Sequence, residues 1–166
     1  MLAELHFLTE LRGILTTQVD MERTLAAVAR RAVPTLADYC VVDMVGADDT
    51  VRRVEIAHAD PSLRERLRDA CRQHVEGKGS SVARIARSGR ATLIVETKYA
   101  ELDFVRGARA RSWAIVPVTI RKRTVAVMSF VCVERSRRID AQDLSFLQEV
   151  AAWTALARGH RLAPVR

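Results

Sequence analysis

The sequence predicts an α+β domain: a mainly antiparallel sheet of about five or six strands, with helices from both chain ends on one face and helices from the middle on the other. Residues 112–133 carry the first observation. Two apolar runs, Trp113 to Ile120 and Val125 to Val133, are rich in Val, Ile and Phe and are joined by Arg121, Lys122, Arg123 and Thr124, which is a β-hairpin signal. Both runs are apolar on successive rather than alternate residues, so both faces of this hairpin must be covered, which places it in the middle of a sheet. Helical periodicity supplies the covers, at the two chain ends and again between the first strands and the hairpin.

From the N-terminus, Leu5, Leu8, Leu11 and Leu15 recur at helical spacing with Ile14 beside them, so residues 3 to 16 form an amphipathic helix. A narrow Leu-rich stripe packs either on the domain's own terminal helix or on a second copy of the chain. Asp20 caps a second helix, which Leu25, Val28, Ala29, Ala32 and Val33 dock until Pro34 and Asp38 close it. Residues 39–45 and 51–58 are strands joined by the turn signal Gly46 to Thr50. Strand alternation puts Cys40, Val42 and Met44 on one apolar face and Tyr39, Val41, Asp43 and Val45 on the other. That second face, with a phenol and a carboxylate among apolar neighbours, suits a pocket. The alternative is that Asp43 pairs with an arginine, as buried acids do.

Asp60 and Pro61 open a helix through Leu63, Leu67 and Ala70. Ser80 or Ser81 caps a short helix that Gly89 stops, and residues 92–95 are a short strand. A polar, helical link from Tyr99 to Arg106 and a cluster of Arg106, Arg109 and Arg111 precede the hairpin. After it, Asp140 to Asp143 resembles a capping box, with Leu144, Leu147, Val150, Ala151 and Thr154 on the face of the terminal helix that follows.

Bulk properties exclude several classes. The 166 residues fit one domain with an extra terminal helix, and no run reaches the length of a membrane span or reads as a secretion signal, so the expectation is a cytoplasmic protein with no membrane partner. The charge of +7 comes mostly from arginines dispersed among acids, and aromatics make up 5% of the chain, so a basic face with stacking rings for nucleic acid is not expected. Cys40, Cys71 and Cys132 are odd in number and unclustered, which argues against a disulfide framework or a metal site. Residues 77–81, Gly-Lys-Gly-Ser-Ser, lack the long spacing of a phosphate loop.

Four stretches, in this order, resemble a GAF domain, a small sensory module with a PAS-related fold: Leu36 to Asp43, Ser81 to Arg90 before an extended Leu93-Ile94-Val95, Arg111 to Val118, and Ile139 to Leu147. The resemblance covers residues 20 to 158 and its style is that of GAF modules attached to histidine kinases. It divides the chain into an N-terminal signalling or dimer helix (1–19), a GAF domain (20–160) and a tail (161–166). It also implies a function: holding a small ligand or partner between sheet and middle helices, and transmitting the change through the terminal helices, paired in a homodimer, to a linked output domain. Tyr39, Asp43 and Ser129 would then look into the pocket, with Trp113 and Phe104 lining or closing it. For Trp113, plain burial is the alternative.

Sharper activities known among GAF domains need groups that this chain lacks. Covalent bilin attachment uses a middle-helix cysteine usually followed by histidine, but Cys71 is followed by Arg72, with His74 three residues on. The Asn-Lys-Phe-Asp-Glu set of cyclic-nucleotide binders is not found. For haem, only His58 and His74 fall near the pocket, and no cofactor is expected. The sulfoxide-reductase type needs cysteines at the pocket, whereas Cys40 and Cys132 belong to the opposite face by alternation. His58 with Asp60 is too small a set to name a metal, and no Ser-His-Asp set or phosphoacceptor box is present, so the domain is expected to be non-catalytic. Two further readings stay open: a degenerate scaffold whose pocket is filled by its own side chains, such as Trp113 and Phe104, and the sulfoxide-reductase type.

Overall fold

A computed structural model describes residues 2–73, 80–95, 111–133 and 138–159, the side chains of 70–73 excepted. The predicted link at 99–106, Phe104, His74, His160 and the clustered Arg106 and Arg109 lie outside them. Among the described residues five helices and five strands follow one another: α1 (Leu2–Thr17), α2 (Met21–Ala32), β1 (Tyr39–Val45), β2 (Val51–His58), α3 (Pro61–Gln73), α4 (Ser81–Ser88), β3 (Thr92–Val95), β4 (Ser112–Ile120), β5 (Arg123–Cys132) and α5 (Ala141–Gly159).

Local chemistry sets most boundaries. Asp20 accepts the Arg23 N–H at the start of α2 and Ser80 that of Ala83 at the start of α4, each filling an orphan donor of a first helical turn. Gly89 ends α4 at φ 64°, and its own N–H bonds the Ile85 carbonyl. Asp140 and Asp143 cap α5 reciprocally, each carboxylate accepting the other's backbone N–H at 2.9 Å.

All pairings are antiparallel, in the order β2-β1-β5-β4-β3, so the predicted hairpin supplies the central strand and its neighbour. The hairpin connection is shorter than the sequence suggests. Arg123 and Thr124 belong to β5, and only Arg121 and Lys122 turn the chain, both left-handed at φ 51° and 65°. Two positive-φ residues match the twist of the flanking strands, and nothing in the pair Arg-Lys signals such a turn in the sequence.

The sheet separates two apolar layers. On one face, Cys40, Val42, Ala114, Val116, Met128 and Phe130 pack against α1, α2 and α5. On the other, Tyr39, Val41, Trp113, Ile115, Val127 and Val131 pack against Leu67 of α3 and Val82, Ile85 and Ala86 of α4. This is the predicted division between terminal and middle helices. The buried stripe of α1 differs from the predicted one. Phe7 and Leu11 are buried, Leu8, Ile14 and Leu15 pack partly, and Leu5 is 65% exposed. The phase of α1 follows Phe7, whose ring meets Phe146 of α5 edge-on at 6.1 Å, rather than the run of leucines. The helix packs chiefly on α2 and reaches the terminal helix α5 through this ring contact.

Candidate ligand-binding face

Cross-strand register lays out the face under α3 and α4 as rows. One row runs His58, Tyr39, Val131, Trp113, Ile94, and the next Ile56, Val41, Ser129, Ile115, Thr92. Asp43, Val127 and Pro117 begin a third, with Arg53 opposite Asp43 on β2. Tyr39, Asp43, Trp113 and Ser129 therefore share one face across three adjacent strands.

Their environments differ. Tyr39 is buried and stacks on His58 at 6.4 Å, while His58 Nδ1 accepts the Asp60 N–H. Asp43 is 1% exposed and is gripped by Arg53, Nε at 2.9 Å and Nη2 at 3.3 Å, a two-pronged charge-assisted contact. The arginine-paired reading of Asp43 describes this geometry. Trp113 and Ser129 are each 4% exposed, yet Trp113 Nε1 and Ser129 Oγ have no hydrogen-bond partner among the described residues. Arg64 Nε on α3, one turn before Leu67, is a third shielded donor without one. A buried donor without an acceptor costs about 1–3 kcal/mol, so a face that keeps several invites a group that satisfies them.

The opposite face has no such deficit at Thr24 and Thr154. Thr154 Oγ1 donates to the Val150 carbonyl, and Thr24 Oγ1 donates to the Asp20 carbonyl while accepting Arg158 Nε. Cys40 and Cys132 are buried there. Burial pushes the Cys40 thiol well above its ordinary range, with the charges of Glu55 and Asp43 adding to the effect. A thiol held protonated is a poor nucleophile. Among the described residues no cluster of three or more His, Cys, Asp or Glu is placed to hold a metal ion, and no helix is long and apolar enough to cross a membrane.

Reading residues by alternation finds the face but misses Arg53, Glu55 and Arg158. Arg53 was within reach, because counting back from the Gly46 to Thr50 turn brings β2 arginines opposite Asp43. Glu55 and Arg158 carry no signal, since an isolated charged residue ordinarily reads as solvated surface.

A five-stranded antiparallel sheet with the terminal helices on one face and the middle helices on the other defines an α+β module. The chain belongs to the GAF domain family, whose model matches residues 18–157. Among solved structures it is similar to the free methionine-R-sulfoxide reductase from Neisseria meningitidis, with a TM-score of 0.72 at 12% identity, covering 95% of this chain and 90% of that one. It is also similar to the GAF domain of an Acinetobacter phosphoenolpyruvate-protein phosphotransferase (TM-score 0.68, 13% identity, 98% and 97% covered). A third is the GAF domain of a putative sensor histidine kinase from Pseudomonas syringae pv. tomato (TM-score 0.59, 14% identity, 96% and 90% covered). No curated protein matches the sequence.

Proposed function

We propose that this chain is a cytoplasmic, non-catalytic sensory GAF domain that binds a small molecule between the sheet and the middle helices. The change would pass through the terminal helices to a linked output domain, a histidine kinase, with any kinase chemistry in that separate domain. The observation that carries the reading is the pair of buried, unpartnered groups, Trp113 Nε1 and Ser129 Oγ, on the face shared with Tyr39 and Asp43. Trp113 donates only, whereas Ser129 donates or accepts, so the complementary ligand presents at least one acceptor atom. Occupancy acts by differential affinity for two arrangements of the helices. Native mass spectrometry of protein purified gently from cells tests this: a small molecule should co-purify and be lost in Ser129→Ala and Trp113→Phe. No bound mass, together with unchanged stability in both variants, defeats it.

One observation favours a scaffold without ligand. Leu67, Val82, Ile85 and Ala86 already pack on this face of the sheet, as in a pocket filled by its own side chains. The same measurement separates the two readings. The sulfoxide-reductase alternative requires a cysteine at the pocket, and the buried positions of Cys40 and Cys132 on the opposite face speak against those two.

Dimerisation through the terminal helices is supported by the exposed Leu2 and Leu5 on α1 and Trp153 and Leu156 on α5. Light scattering should show a dimer that Leu5→Glu with Trp153→Glu converts to monomer. A concentration-independent monomer in the parent chain refutes this part.

A further inference from the structure

A ligand on the front face must affect helices on the back face, and the sheet stands between them. Strand side chains project to one face or the other, so the interior of the sheet offers no side chain that touches both helical layers. The edge strand β2 does, through Glu55. Val42 pairs with Glu55 and Asp43 with Arg53, which leaves Val54 as the extra residue of a bulge. Val54 packs toward the terminal-helix core, and Glu55, opposite Val42, belongs to that side as well. Glu55 is only 6% exposed, and its carboxylate lies near a cation from each layer. Arg30 of α2 donates to Oε2 at 2.5 Å, and Arg68 of α3 stands 3.8 Å from Oε1, which also accepts the Ile56 N–H at 3.0 Å.

We propose that Glu55 is the joint through which a displacement of α3 is passed around the sheet edge to α2. Arg68 has a second partner on its own helix, Glu65, at 3.0 Å, so it is shared between an exposed carboxylate and a buried one. At 3.8 Å it attracts Glu55 without bonding it. A small inward movement of α3 makes that bond, and an outward one leaves Arg68 to Glu65 and Glu55 to Arg30 alone. A buried carboxylate responds strongly to the loss of a cation, so the grip on Arg30 changes with the seat of α3. Leu67, the residue before Arg68, lies in the front-face cluster with Tyr39 and Trp113, which ties that seat to the candidate pocket.

Other residues of α2 tie that helix to α1 and α5. Arg31 of α2 pairs with Glu10 of α1. Thr24 of α2 accepts Arg158 Nε from α5 at 2.9 Å, and Arg158 Nη2 donates to the Leu15 carbonyl in the last turn of α1 at 2.9 Å. The buried arginine thereby closes α1, α2 and α5 into one unit. Its use by a ligand rests on the pocket reading above, but the joint itself does not and is measurable without ligand.

The test is hydrogen exchange on the full chain. Arg68→Gln should speed amide exchange across α2, residues 21–32, by about 2- to 30-fold, the span of coupling energies between packed elements. Glu65→Gln, which frees Arg68 for Glu55, should slow exchange in the same residues. Arg30→Gln should speed exchange in α3, and the double variant Arg30→Gln with Arg68→Gln should fall short of the product of the single effects. Both α3 side chains are substantially exposed, so these variants keep the fold. An Arg68→Gln effect confined to α3, or Glu65→Gln acting in the same direction as Arg68→Gln, overturns the joint. Neither outcome bears on whether Trp113 and Ser129 hold a ligand.

Discussion

The two faces of the sheet are made by the same strands and yet obey different rules. Behind, Phe130, Met128 and Val42 meet α2 and α5 in an apolar layer whose buried Thr24 and Thr154 are bonded and whose Arg158 is bonded through Nε and Nη2. In front, one residue along β5 from Phe130, Ser129 is as well shielded from water and its hydroxyl is unmatched. In front, unmatched polar atoms lie on the strands themselves, at Trp113 and Ser129. Burial with every polar atom bonded marks residues that hold the fold, whereas a buried atom without a partner marks a place to test for a ligand.

The comparison breaks most visibly at Phe130. Truncation to Ala should cost about 3–5 kcal/mol in urea unfolding, because the neighbouring side chains close the void only in part. A loss under 1 kcal/mol would mean that this layer is loosely packed. Arg53→Met tests the buried charge pair in front. Asp43 would stay buried without its cation, at a cost of about 3 kcal/mol, and Asp43→Asn in the same background should restore most of it. Absence of any rescue would show that Arg53 acts by packing alone.

Smaller is the pH effect of Cys40. Its folded-state thiol titrates above the unfolded one, so the stabilisation is complete below the unfolded value near pH ~8.5 and is lost as pH rises toward the folded value. Over that window the parent chain should lose up to about 1.4 kcal/mol per pH unit relative to Cys40→Ala. Parallel curves would place the thiol in contact with solvent. The smallest change is expected for Ser129→Ala, within about 1 kcal/mol of the parent and in the stabilising direction, since an unmatched hydroxyl is removed. A loss above 2 kcal/mol would reveal a bond that makes Ser129 part of the scaffold.

Much of this contrast is legible in the amino-acid sequence. Alternation along residues 39–45 separates Cys40, Val42 and Met44 from Tyr39, Val41 and Asp43, and the structure keeps that separation. It works because a strand covered on both faces must place every second residue on the same side. The reading failed where tertiary packing rather than local pattern decides. Phe7 displaced Leu5 from the α1 interface because one aromatic contact with α5 sets the phase of the helix. Glu55 was invisible because a bulge at Val54 alters the register beyond which its side is assigned. Arg158, in the last turn of α5, reads as a favourable surface charge and is instead almost fully buried.

The seam between β1 and β5 has a consequence for how the domain forms. Each flanking hairpin, β1 with β2 and β4 with β5, is local, but the seam pairs Tyr39 with Val131 and Met44 with Ala126, residues far apart in the chain. Until it closes, both hairpins expose a bare strand edge, and neither helical layer has a complete floor to settle on. Closure therefore couples the two ends of the domain in a single late, non-local event, which slows folding and leaves no stable half. A truncation that removes either hairpin should give an aggregating fragment rather than a smaller sensor.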